Sequence, residues 1–177
     1  KKHIADTKAI APERFIVFFS PDFSGIDDPK WADREIAKLK DAVRLGVRGV
    51  KIFKELGLVH RDNSGKLIPV DDPRIDPFWE AVGQLKIPVM VHVSDPKAFF
   101  TPVDKYNERY DELGAHPSWA FSDTTKYPSK WEILAQRNRM FAKHPNTIYI
   151  GAHVGTLPEE LHQVGMKAAH GVDHRGE

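Results

Sequence analysis

Two histidines stand at the ends of apolar runs that read as buried parallel strands. In Ile87-Pro88-Val89-Met90-Val91-His92-Val93-Ser94-Asp95 the apolar part is too short for a membrane span and meets polar residues at its C-terminal end. With a side-chain period of two, Met90 and His92 share one face while Val89, Val91 and Val93 share the other. The pattern recurs in Thr147-Ile148-Tyr149-Ile150-Gly151-Ala152-His153-Val154-Gly155, where the same period puts Tyr149, Gly151 and His153 on one face. A single strand-end histidine is more often a neutral, hydrogen-bonded side chain than a ligand. Two of them, on parallel strands, project from one rim, and open sheets and closed (β/α) barrels both bind ligands at that rim. Because imidazole ligates metals and titrates near neutral pH, the pair predicts a metal or acid/base site. Asp22 and Asp95, just past strand ends, are placed to orient ligands or bind substrate, or else to cap turns.

Composition narrows the partners. A chain of 177 residues, 41% hydrophobic, suffices for one core and one domain. Its 26 basic and 25 acidic residues leave a formal charge of +1 with no basic stripe for nucleic acid, so the expected partner is a small molecule. There is no cysteine, which excludes disulfides and thiolate metal sites and leaves histidine, carboxylate and lysine as ligands. No apolar run approaches the ~18 residues of a membrane helix, so no membrane partner is expected. The compartment stays open, cytoplasmic by default. The chain starts at Lys1 on what reads as the last turns of a helix, Ile4 to Ile10, so a preceding part is expected.

The elements that must position these residues alternate along the chain. Arg14 to Ser20 is aromatic and β-branched and reads as a strand, broken by the turn residues from Pro21 to Pro29. From Trp31, Ile36, Leu39 and Val43 mark a helical stripe that Gly46 ends, and 47–54 follows at once as a second strand. After a long polar loop, 55–72, the residues Ile75, Phe78, Trp79, Val82 and Leu85 predict a helix over 73–85 that leads into the His92 strand. Between Asp95 and Pro128 lies an aromatic, charged insertion that is either a lid or a loop excursion packed on the rim. Ser129 is set to cap a helix from Lys130 to about His144, with Trp131, Leu134, Arg137/Asn138 and Phe141 in its repeat. The His153 strand comes next, then a short helix from Leu157 to Val164. Residues 166–177, with His170 and His174, read as an irregular tail, leaving 1–165 as the folded unit. Four strands each followed by a helical segment call for an α/β fold with a parallel sheet. A closed (β/α)₈ barrel takes ~250 residues, so the chain is long enough for about half of one.

The runs GVRGVKIFKELGL, DDPRIDPFWEAVGQLKIPVMVHVSDPKAFF, NERYDELGAHPSW and AQRNRMFAKHPNTIYIGAHVG, in that order, resemble the amidohydrolase-2 family. This is the branch of the metal-dependent amidohydrolase superfamily that includes aminocarboxymuconate-semialdehyde decarboxylase, and the likeness covers about residues 12 to 165. The resemblance implies a distorted (β/α)₈ TIM barrel, of which this chain would be a part, about strands three to six. It implies a divalent metal, zinc by the nature of its nitrogen and oxygen donors, with His92 as the strand-five ligand and His153 as the strand-six histidine. The family's H-x-H pair and terminal aspartate have no counterpart in the 177 residues, so the resemblance is to a fragment or to a lineage without the full site. Some superfamily members carry a carboxylated lysine on strand four. If Val50 and Ile52 face the helices, Lys51 points into the barrel and Lys54 points the other way, which makes Lys51 the candidate there, or a lysine reaching water from a barrel end.

The resemblance implies a metal-dependent hydrolase that activates water against a small carbonyl substrate, His92 holding the metal and His153 acting on the water. A decarboxylase on the same scaffold uses the same residues. A non-catalytic half-barrel packed on a partner is the reading from another class, and an open half-barrel is also expected to self-associate.

Overall fold

The computed structural model describes residue 6, residues 9–11 and residues 13–156. The helices expected at 4–10 and 157–164, and the tail, lie wholly or in part outside the described residues. Four parallel strands form one sheet in the order β1-β2-β3-β4, matching their order in the chain. They are β1 (Phe18–Phe19), β2 (Gly49–Ile52), β3 (Val89–Val91) and β4 (Tyr149–Gly151). The helices are α1 (Trp31–Leu45), α2 (Asp76–Gln84), α3 (Tyr110–Ala115), α4 (Lys130–Lys143) and α5 (Ala152–Thr156). The arrangement is α/β, with the four-stranded parallel sheet of a partial TIM barrel. Each strand is shorter than its apolar run, although single inter-strand bonds such as Arg48 N–H to the Val17 carbonyl and Val89 N–H to the Ile148 carbonyl extend the pairing by a residue.

Register separates the two faces. Val50 pairs with Val89 and Ile52 with Val91, and all four are buried in one cluster with Trp31, Leu39, Phe78 and Met140. On the other face Lys51 pairs with Met90, which pairs with Ile150. That inner face is largely bare: Ile148 is 60% and Ile150 41% exposed, and Phe53, just past β2, is 50% exposed. At the β1–β2 join Gly49 is required. A Cβ there would collide with the Phe18 ring and stand 2.9 Å from the Pro88 carbonyl oxygen.

The helices close as the residue pattern requires. Trp31, Glu35 and Leu39 form the buried stripe of α1, and Gly46 ends it in the left-handed region (φ 109°), with the Val47 N–H on the Ala42 carbonyl at 3.0 Å. Asp72 accepts from the Arg74 N–H (2.9 Å) at the short 3₁₀ turn Pro73–Ile75 that opens into α2. Ser129 caps α4 by accepting from the Glu132 N–H at 3.1 Å. The buried face of α4 is shifted from the expected one. It carries Ile133, Leu134, Gln136, Arg137 and Met140, while Trp131 is 53% exposed. The polar members are satisfied: Gln136 accepts from the Val70 N–H (3.1 Å), and Arg137 donates to the Gly155 carbonyl. No helix among the described residues is long and apolar enough to cross a membrane.

Candidate functional site

His92 leaves β3 on the inner face, its N–H bonded to the Ile52 carbonyl at 2.9 Å, so the sheet itself fixes its backbone. His153 arrives differently from the sequence expectation. β4 ends at Gly151, Tyr149 turns outward to stack on Phe141 (4.1 Å between ring centroids), and His153 lies in the short helix α5 with φ 52°. Strand alternation from Tyr149 therefore does not reach it. A left-handed turn brings its ring to 4.6 Å from that of His92, centroid to centroid, edge to face. The two histidines do meet at one rim.

A second left-handed residue shapes the neighbouring wall. Ser94 (φ 70°) is fully buried and turns the chain after β3, which carries Asp95 under the site with 5% of its surface exposed. A non-glycine residue held there costs ~1–3 kcal/mol, which the surrounding core must offset. Burial raises the Asp95 carboxyl above its usual range, and the Lys54 ammonium works against that. Lys54 Nζ lies 3.0 Å from Asp95 Oδ2, an ion pair by distance. It is misaligned for a hydrogen bond, so Oδ2 has no donor among the described residues. Lys54 also sits over two rings, 5.2 Å from the Trp119 centroid and 5.5 Å from that of Phe99. This corrects the expectation that Lys54 points away from His92. β2 ends at Ile52, so alternation stops before residue 54.

Lys51 does lie on the inner face, level with Met90, and burial lowers its pKa. Its Nζ donates to the Ile52 carbonyl at 3.0 Å and rests on the Phe53 ring at 4.6 Å. It touches the site through charge: burial first, then Lys51, His153 and Lys54, push the His92 imidazolium down to a pKa of about 4. His92 is consequently a neutral imidazole at pH 7, the form that can ligate a metal or accept a proton. Asp22 is elsewhere. Its carboxylate accepts from the Ser24 N–H (2.9 Å), its carbonyl accepts from Trp31 Nε1 (2.7 Å), and it closes the turn after β1 without reaching the histidines.

A cavity of about 310 Å³ opens beside the pair, lined by Lys54, His92, Asp95, Pro96, Phe99, Glu112, Trp119 and His153. Phe99, Glu112 and Trp119 come from the aromatic insertion, which both packs and lines the site. Phe100 packs on Phe121 (5.6 Å) and Phe121 on Tyr127 (5.1 Å), while the Phe121 N–H holds the Phe99 carbonyl at 2.7 Å. The sequence reading of that segment did not single out Phe99 or Trp119 as cavity walls. Nor did it mark Lys54. A catalytic zinc takes three protein ligands and keeps an open position, and no group of three or more histidine, cysteine or carboxylate side chains among the described residues could hold a metal. The histidine pair offers two imidazoles of such a set and does not complete it.

The Amidohydrolase family matches residues 3–175. The chain belongs to the amidohydrolase-2 family. No curated protein matches it. Among solved structures, it is similar to 2,6-dihydroxybenzoate decarboxylase from Rhizobium and to 2,6-dihydroxybenzoate decarboxylase complexed with 2,6-dihydroxybenzoate. For each the identity is 24% and the TM-score 0.56, over 98% of this chain and 50% of the other. The amidohydrolase-2 chain described here thus spans about half the length of those decarboxylases, and the likeness establishes a shared fold.

Proposed function

We propose that this amidohydrolase-2 chain carries part of a carbon–carbon lyase site for a small, flat, unsaturated or aromatic acid. The observation that carries the reading is the histidine pair opening into a cavity walled by Phe99 and Trp119. Flat aromatic side chains favour a flat ligand, which they hold by offset or edge contacts. In the decarboxylation the bond from ring or chain carbon to carboxyl carbon breaks and carbon dioxide leaves. The electron pair stays on the substrate carbon, and a proton is delivered to that carbon by His153. His92, neutral at pH 7, orients the reacting group, and Asp95 together with Lys51 sets the local charge. The resemblance to metal-dependent amidohydrolases makes a divalent metal, zinc for preference, part of the proposal, with His92 as one ligand; bound, it would polarise a substrate oxygen. Since the described residues supply only two imidazoles for it, the proton step above does not pass through the metal.

Hydrolysis of a small carbonyl compound is the second reading. It draws on the same histidine pair, in which His92 would hold the metal and His153 act on the water. Product analysis separates the two. Incubated with 2,6-dihydroxybenzoate and related flat acids, the protein is expected to release one carbon dioxide per product molecule. His153→Ala is expected to lower that rate ~10²–10⁴-fold, the usual contribution of a general acid. Cleavage of amides or esters with no carbon dioxide from any acid would assign hydrolysis instead.

A further inference from the structure

We propose that Lys54 is the residue that selects acids at this site: its ammonium takes the carboxylate of the ligand whose flat body lies on Phe99 and Trp119. The inference deepens the lyase reading and rests on the same cavity. Three contacts fix the ammonium in place, namely Asp95 Oδ2 at 3.0 Å, the Trp119 ring at 5.2 Å and the Phe99 ring at 5.5 Å. A flexible lysine held on three sides loses its conformational freedom on folding and not on binding, so its charge is ready for a ligand.

Depth decides which charge the ligand meets. Both line the cavity, but the Asp95 side chain is 7% exposed and that of Lys54 28%, so the ammonium is the more accessible of the two charges. An ammonium has three donors, and the misalignment with Asp95 means that the pair has not used them in a good hydrogen bond. Glu112, the other carboxylate lining the cavity, is held by Arg109 at 3.1 Å, which offsets its charge. Lys54 is therefore the group that can tell an acid from its neutral analogue, and the two rings beside it favour a flat acid over an aliphatic one.

The test compares 2,6-dihydroxybenzoate with 2,6-dihydroxybenzamide, which has the same ring and hydroxyls without the charge, by titration calorimetry at pH 7. The wild-type chain is expected to bind the acid about tenfold or more tighter than the amide, the worth of one charge-assisted hydrogen bond. In Lys54→Met, which keeps the stem against the rings, the two affinities should come within about twofold. Lys54→Arg, which keeps the charge, should retain a preference for the acid. Lys54→Gln serves if the methionine variant gives no cooperative thermal melt. An undiminished acid preference in Lys54→Met or Lys54→Gln overturns the proposal, and so does a wild type that binds both probes equally or neither. Charge-selective binding without carbon dioxide release would reject the lyase reading and leave Lys54 standing; release without charge selectivity would do the reverse.

Discussion

His92 sits where burial and three neighbouring groups disfavour its cation, and that has a consequence for stability. Its pKa is about 4 in the folded chain against an ordinary 6.5. Between those values the unfolded chain binds a proton at this imidazole and the folded chain does not. Stability therefore rises with pH through that window, falls as the pH drops from about 6.5 to about 4, and gains nothing further from this group below it. Urea denaturation at pH 7 and pH 4.5 checks this: His92→Ala should lose less stability between the two than the wild type, and an equal loss would contradict the assigned environment. At this scale apolar runs ending in polar residues mark a rim. The structure brings the His92 and His153 rings to 4.6 Å with Asp95 in the same cavity wall, although His153 comes from α5 and Asp22, grouped with Asp95 by the sequence, lies in the turn after β1. The sequence left Lys54 aside. Alternation is a rule for paired backbone, and Lys54 lies two residues beyond the last paired residue of β2, where the chain direction is set by the turn that follows.

The elements were more legible than their ends. Gly46, Ser129 and the Ile75–Leu85 period mark α1, α4 and α2 from sequence because each rests on local chemistry. What lay outside local chemistry was harder to read. Trp131 counts as apolar in a helical repeat yet faces water, since the stripe of α4 that meets the core is fixed by Gln136 reaching Val70 across the fold. His153 belongs by pattern to a strand, but β4 ends at Gly151, where a Cβ would stand 3.0 Å from the Gly155 Cα. That close approach admits the turn into α5. Ser129→Ala removes the acceptor for the Glu132 N–H and should cost about 1 kcal/mol of stability, read from the denaturation midpoint at unchanged m-value. A shift near zero would mean that water replaces the cap.

As a whole, the described chain is a sheet covered by helices on one face and bare on the other. Ile148, Ile150 and Phe53 lie on or beside the inner face that eight strands would enclose in a closed barrel, and β1 and β4 each have an unpaired edge within this sheet. The expected outcome for the 177-residue polypeptide is self-association, or binding of a dye that reports exposed apolar surface, at tens of micromolar. A sharp monomer boundary in ultracentrifugation with no dye binding would show that this face is covered. The parallel order was readable because four strand-then-helix repeats admit few arrangements; how far the sheet curves, and so which residues converge above it, depends on contacts between distant strands that no local pattern encodes.

That convergence is the claim on which the site depends, and histidine-labelled NMR tests it most directly. The expected result is through-space contact between the ring protons of His92 and His153, with the His92 ring titrating near pH 4 and shifting upward in His153→Ala. Absence of any contact between the two rings, with His92 titrating at its ordinary value near 6.5, would contradict it.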